Sequence, residues 1–532
     1  MTADWRVRVA VAAIFLLGVG LRVGNLGNVT SRSPDERVCT RQARAILEEG
    51  GRGLLRLIDE YGRDPSSGLY PPPTRAGYLW LVAGVMRVSD TTDERAGALL
   101  SCGASIGSLA LLLLFGFRFL PPPATLAAGL LFAVSPMELA LSRRSWQDAL
   151  VGFLGLSFVY LAAEIERNPG RRGWLAPYVV LGSAGILVKE LAPIAYALVT
   201  LRLLWTLLVR RRDLRTGVTL VVAGLAGAAV AIAWLSEAVG GFTTLLGILV
   251  ARPGSNAANE YALLYQTGPA WQVLQAFWIA APTASLLCLA GLALLLLDHF
   301  RIGLSPASPG PALPEAGQVA GTFVVCCVSL PMVFPHWLNL RYLSSAFGPI
   351  YLVAGIATWW LLDRAVRVLG AAPRVVAAVG SALLLVVAAA DVHFFREVFV
   401  RRGVPDLSIR MLREAETISA EKALALPDMA AMDPSAVRAA SPEALLDLSL
   451  AYSRAGRHLE SIAACREALR KRPEYAEAYN NIAAAHASLQ KWDEAIEAAR
   501  EAVRLRPDYA LARNNLAWAE AQKRQLGEER RR

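Results

Sequence analysis

The sequence predicts an all-α protein in two parts: a polytopic membrane region of about eleven transmembrane helices over residues 1–395, and a C-terminal α-solenoid over 441–525. Three observations carry this prediction. Hydrophobic residues make up 55% of the 532 and charged residues only 18%, with a mean hydropathy of +0.40. Apolar runs of about 18 or more residues, the length that crosses a ~30 Å hydrocarbon layer, recur along the first four hundred positions. Beyond them Arg472-Pro473-Glu474-Tyr475-Ala476 returns as Arg506-Pro507-Asp508-Tyr509-Ala510, a spacing of 34.

The net charge of +10 does not point to nucleic acid. The arginines cluster in short loops between apolar runs, as the positive-inside rule produces on the cytoplasmic side. Six scattered cysteines show no metal or disulfide spacing. Arg6 and Arg8 precede an apolar run as in a signal peptide, but Arg22 follows without a small-residue cleavage site. The run at 9–26 therefore reads as a retained first span, its amino end in the cytoplasm.

Residues 27–95 then form a long external loop. Within it, Tyr70-Pro71-Pro72-Pro73 leads into an apolar segment, 76–88, too short for a comfortable crossing and read as interfacial or re-entrant. Further spans fall near 96–116, 124–141, 149–165, 174–188, 191–209, 216–238, 271–297, 319–335, 345–362 and 374–394. With 76–88 left out of the count, the Arg-rich loops at 167–172, 210–215 and 364–374 all face the cytoplasm. Residues 302–317 are a Ser/Pro linker, and 396–440 an amphipathic connector. The 34-residue period resembles the tetratricopeptide repeat, with units at 442–475 and 476–509 and a capping helix from 510. Its concave face is suited to a protein partner or acceptor.

By this topology the polar residues gather on the external side. Asp35 and Glu36 open the first loop, Asp148 stands at the mouth of the 149–165 span, Lys189 at a helix end, and Arg341 at the start of another. Alone, an acidic pair after a span is often a helix cap or first-turn charge, and a lone Lys or Arg is often an interfacial anchor. Two carboxylates and two cations on one membrane face suggest more, since ionisable groups at that depth need polar surroundings. Arg143 and Arg144 share that side, against the charge rule. They are either further anion contacts or a sign against the topology.

The order of motifs resembles the family-C (GT-C) membrane glycosyltransferases, in particular the branch of protein O-mannosyltransferases and lipid A aminoarabinose transferases. It rests on Asp35-Glu36 early in the first loop, Pro72-Pro73 before a short apolar helix, and Ser142-Arg143 with Asp148 after the third crossing. Lys189-Glu190 and Arg341-Tyr342-Leu343 complete it, and the similarity covers roughly residues 5–395. The resemblance implies transfer of a sugar from a polyprenyl-phosphate donor to an acceptor on the extracytoplasmic face of a bacterial inner membrane, by an inverting single displacement. In that chemistry a carboxylate accepts the acceptor's proton. The resemblance gives this role to Asp35, with Glu36 as a neighbour that positions or substitutes for it and Asp148 as the second acid. Lys189 and Arg341 match the cations that hold the lipid phosphate, where fixed charge stabilises the leaving group. Asp35 and Asp148 could share Mg²⁺ or Mn²⁺, which two carboxylates beside a phosphate permit without requiring.

Two other functions compete. A lipid flippase or transporter would place ionisable residues in mid-span, whereas 96–116 and 216–238 hold almost none. A non-catalytic scaffold displaying the repeats would not need so many crossings.

Overall fold

In a computed structural model of the chain, the described residues are 5–24, 26, 34–63, 74–168, 171–257, 271–300, 315–333, 339–401, 404, 407, 412, 441–454 and 457–529. Tyr70–Pro73, the 302–314 linker and most of the 396–440 connector lie outside them. The chain divides into two units, 1–413 and 414–532.

The first unit contains α1 (Trp5–Val23), α2 (Pro34–Glu49), α3 (Gly51–Arg63), α4 (Ala76–Ser89), α5 (Glu94–Phe119), α6 (Pro122–Ala133) and α7 (Pro136–Leu141). It continues through α8 (Asp148–Arg167), α9 (Leu175–Val188), α10 (Leu191–Trp205), α11 (Leu214–Ala238), α12 (Phe242–Ala257), α13 (Gln272–Ala280) and α14 (Pro282–His299). The last three are α15 (Glu315–Val333), α16 (Ser344–Leu369) and α17 (Pro373–Phe395). Among the described residues, seven helical stretches are long and apolar enough to cross a membrane. They comprise α5, α8, α10 with its continuation to Arg210, α11, α14, α16 with the turn before it, and α17 with its continuation to Val400. This is a multi-pass membrane protein.

The other expected spans appear as shorter or interrupted helices, for reasons the residues supply. The run at 124–141 breaks where Ser135 caps a new helix, its Oγ accepting from Glu138 N at 3.3 Å, with Pro136 at the first position. The run at 271–297 breaks at Ala281 (φ −155°, ψ 70°), a non-helical conformation of the kind favoured before a proline. Helix α1 has the length of a span but carries Arg6, Arg8 and Arg22.

Contacts sort the helix ends into two groups. At the upper end, Arg143 Nη2 donates to the carbonyls of Leu21 (2.8 Å) and Gly24 (2.6 Å), and Arg75 pairs with Glu190. At the lower end, Arg118 pairs with Glu164, Arg167 Nη1 donates to the Arg118 carbonyl at 3.0 Å, and Thr206 Oγ1 donates to Glu166 at 3.0 Å. Helix α4 both begins and ends at the upper level. Arg75 precedes it, Arg44 donates to the Thr92 carbonyl just after it at 2.8 Å, and Gly97 then presses on Ser145. The segment read as re-entrant therefore does not traverse the bundle. Helices α9 and α10 form an antiparallel hairpin turning at Lys189, with Tyr178 and Thr200 joined by a 2.9 Å hydrogen bond across it.

Helix α16 is the axis of packing, buried without a break from Ser344 to Thr358. Its neighbour α8 comes so close that a Cβ on Gly155 would lie 2.4 Å from the Ser345 carbonyl oxygen, so only glycine fits there. Beside it runs a buried polar set. Arg22 Nε donates to Ser105 Oγ (2.8 Å), which donates to Glu138 Oε2 (2.8 Å). Arg22 also donates to the carbonyl of Ala133 (2.9 Å), an acceptor at the end of α6, and to that of Phe132 (3.2 Å), which the Ser135 N–H also reaches. An arginine is tolerated at this depth because its donors meet several oxygens.

The second unit contains α18 (Pro442–Arg454), α19 (His458–Lys471), α20 (Ala476–Ser488), α21 (Trp492–Leu505) and α22 (Ala510–Glu529). Alanines at matching offsets, Ala468 and Ala502, are fully buried and let successive helices approach closely. The repeated Arg-Pro-x-Tyr motif performs the same task twice. Arg472 lies 4.7 Å from the Tyr475 ring centroid and pairs with Glu443, while Arg506 lies 3.9 Å from Tyr509 and pairs with Glu477. Gln490 turns the chain between α20 and α21 at φ 58°, a left-handed conformation costly for a residue with a Cβ. Gln490→Gly is expected to raise the stability of this unit by about 0.5–1 kcal/mol, the relief of strain exceeding the added chain entropy. The thermal unfolding midpoint reads it, and no upward shift would refute the strain argument.

Candidate active site

Four of the five candidate residues come together in two pairs at the upper end, and the fifth, Glu36, is held by Arg144. Asp35, in the first turn of α2, accepts from Arg341 Nη2 at 3.1 Å. Arg341 lies in a short 3₁₀ turn, Leu340–Leu343, that leads into α16. The turn starts where it does because Asn339 is extended (φ −133°, ψ 127°) and its Oδ1 accepts from Arg341 N at 3.0 Å, a side-chain cap. The guanidinium then lies over the Trp146 ring, 4.4 Å from its centroid, a cation–π contact. Arg341 is 8% exposed and Asp35 36%, so the carboxylate is the part of this pair that meets solvent.

Asp148 begins α8, where an acid is favoured by the helix dipole, and its Oδ1 accepts from Lys189 Nζ. Lys189 interrupts the α9–α10 hairpin in an extended conformation, which carries its side chain inward. Both members are buried, and the ammonium also lies 5.2 Å from the Tyr342 ring centroid. Burial lowers the Lys189 pKa, opposed by Asp148 and reinforced by Arg75 and Arg341, which places three cations within electrostatic reach of one another.

Glu36 has a different environment from its neighbour. It is fully buried, and its oxygens accept from Ser145 N at 2.9 Å and Arg144 Nη1 at 3.1 Å. Its geometry is that of an anchor fixing the start of α2 to the 144–145 turn, which leaves Asp35 alone at the exposed position. The same contacts resolve the arginines that ran against the charge rule. Arg144 is bonded to Glu36 and to the Val404 carbonyl (3.0 Å), and Arg143 caps the end of α1. Neither is a free loop charge.

Arg75 is the site residue that the sequence did not reveal. It stands at the start of α4, pairs with Glu190 at 3.4 Å, and meets Gln147, whose amide oxygen, turned toward it, accepts from Nε at 3.1 Å. Burial opposes its charge, but Glu190, Cys39 and Asp35 offset that and hold the guanidinium above its ordinary range. Its only sequence signal was position, directly before an apolar helix.

In this arrangement the two carboxylates are engaged separately. Each faces its own cation, and no three His, Cys, Asp or Glu side chains converge among the described residues. Mg²⁺ or Mn²⁺ bridging Asp35 and Asp148 would have to replace contacts already made by Arg341 and Lys189.

Residues 435–476, 446–510 and 480–531 match the family model of the tetratricopeptide repeat. The C-terminal unit is a tetratricopeptide-repeat array. No curated protein matches the chain. Among solved structures it is similar to the archaeal oligosaccharyltransferase AglB from Archaeoglobus fulgidus, in complex with an inhibitory peptide and a dolichol-phosphate. That likeness is at 12% identity over 74% of this chain and 55% of that one, with a TM-score of 0.48. It is also similar to ArnT from Cupriavidus metallidurans bound to undecaprenyl phosphate, at 14% identity over 94% and 80%, with a TM-score of 0.47. The chain thus spans about half the length of the oligosaccharyltransferase. Likenesses of this size transfer no activity to the present protein.

Proposed function

We propose that the protein transfers a sugar from a polyprenyl-phosphate donor to an acceptor at the upper end of the bundle, the extracytoplasmic side of a bacterial inner membrane. The observation that carries this reading is the pairing of two acids with two cations, Asp35 with Arg341 and Asp148 with Lys189, at one end of a membrane bundle. The donor phosphate is an anion at the membrane surface. Arg341 offers it a planar fork already oriented by Trp146 and Asn339, with Lys189 and Arg75 nearby.

In the proposed step the acceptor oxygen attacks the anomeric carbon, the carbon–oxygen bond to phosphate breaks, and configuration inverts. The acceptor's proton passes to the Asp35 carboxylate, and polyprenyl phosphate leaves with the bond's electron pair. As Arg341 turns to the phosphate it frees Asp35, so donor binding and activation of the base are linked. Asp148 keeps Lys189 in place beneath the phosphate. The repeat array recruits a protein acceptor or a partner enzyme.

Mass spectrometry of the lipid-linked sugars and surface glycans of cells with and without the protein tests this. One polyprenyl-phosphate sugar should accumulate in its absence while one surface glycan disappears. Unchanged pools would remove the transferase reading and return attention to a scaffold role.

A further inference from the structure

Beyond α17 and its continuation to Arg401, three further residues of the first unit are described: Val404, Leu407 and Leu412. Val404 is anchored by its N–H to the Val398 carbonyl at 3.1 Å, and its own carbonyl accepts from Arg144 Nη2 at 3.0 Å. The Leu407 carbonyl accepts from Leu340 N at 3.1 Å. Leu407 and Leu412 are almost wholly buried, so both side chains pack as core.

The two attachment points are informative. Arg144 also holds Glu36, the residue next to Asp35, and Leu340 is the residue next to Arg341. Val404 and Leu407, only three residues apart, therefore touch the immediate supports of both partners in the Asp35–Arg341 pair. Three residues of extended chain span at most about 10 Å. A link that short sets an upper limit on the separation between the supports of α2 and of the 340–343 turn. The Leu340 amide lies at the start of a helical turn, where no intrahelical acceptor exists, and Leu407 supplies one.

We infer that Val404 and Leu407 are positioning residues of the site, a strap that holds Arg341 against Asp35, and that the connector to the repeats begins as part of the catalytic end. A rearrangement of the chain at Leu407 would then be felt at Arg341. The ligand meaning of this inference rests on the transferase reading, but the geometry does not.

The experiment uses the full-length protein in nanodiscs and compares Leu340→Pro with Leu340→Ala. Proline suits the first position of a helical turn, and Asn339 already has the extended conformation required before it, so Leu340→Pro deletes the bond to Leu407 and keeps the turn. Leu340→Ala shortens the side chain and keeps the amide. Hydrogen exchange at the amides of Arg341 and Tyr342 should quicken at least tenfold in the proline variant and stay near wild type in the alanine variant. Undecaprenyl phosphate should bind about tenfold more weakly to the proline variant alone. Equal exchange in both variants, or wild-type exchange in the proline variant, overturns the strap. Faster exchange in the proline variant, with no undecaprenyl phosphate bound even by wild type, leaves the strap standing and removes the transferase reading. If Leu340→Pro does not fold, Leu407→Ala, which keeps the accepting carbonyl but removes the buried side chain that seats it, gives the same exchange measurement with Asp35 and Arg341 intact, and unchanged exchange there overturns the inference.

Discussion

Asp35→Asn is expected to lower sugar transfer by about 10²–10⁴-fold, the contribution of a positioned general base, while the protein stays folded and still binds polyprenyl phosphate. Asparagine has the same shape, and its Oδ1 can still accept from Arg341, so the 3.1 Å contact has a successor. It cannot take up a proton at neutral pH. The neighbouring acid cannot take over, because Glu36 is fully buried with both oxygens engaged by Ser145 and Arg144. Release of polyprenyl phosphate from a lipid-linked sugar, with acceptor present, is the rate to follow. Retention of more than a third of wild-type activity would remove Asp35 from the role of base. Glu36→Gln gives the contrast: its main effect should be on stability, because the removed charge is the one that holds Arg144.

Arg22→Leu should destabilise the membrane unit by about 3–5 kcal/mol, the range for leaving a buried charge uncompensated, here Glu138, which Arg22 reaches through Ser105. The loss has two parts. Glu138 keeps its Ser105 contact but loses the cation that answers its charge, and the Ala133 carbonyl loses the Arg22 donor at the end of α6, whereas that of Phe132 keeps the Ser135 N–H. Adding Glu138→Leu should recover part of the loss, since the pair is then replaced by apolar groups. Thermal unfolding in a fixed detergent measures both variants. A single variant within 1 kcal/mol of wild type would show that the network contributes little.

Hydropathy made the membrane region legible, because a span must satisfy both length and composition, and the 34-residue period made the repeats legible. The helix breaks were less visible. Pro136 and Pro282 were present in the sequence, but proline is tolerated at a helix start, so neither requires a break within an apolar run. Among the site residues, Asp35, Asp148, Lys189 and Arg341 were found as polar residues at span ends, and the structure brings them together in two pairs. The division of labour between Asp35 and Glu36 was hidden, since helix periodicity separates adjacent residues by about 100° and only tertiary contacts say which one turns inward. Arg75 escaped notice because its partner Glu190 is far along the chain. Arg22 was read only as an argument against a cleavage site, although an arginine within an apolar run already calls for a buried partner.

The Arg22–Ser105–Glu138 set also orders events at the ribosome. Arg22 emerges in the first helix, Ser105 follows in α5, and Glu138 comes only with α7. Until the last of these is made, Arg22 has no carboxylate to face and keeps its charge at the membrane surface, as long basic side chains near a helix end can do. The first helix therefore meets its full set of polar partners only once α7 has been made. The polar anchor of the amino-terminal helix is thus completed by a residue more than a hundred positions further along the chain.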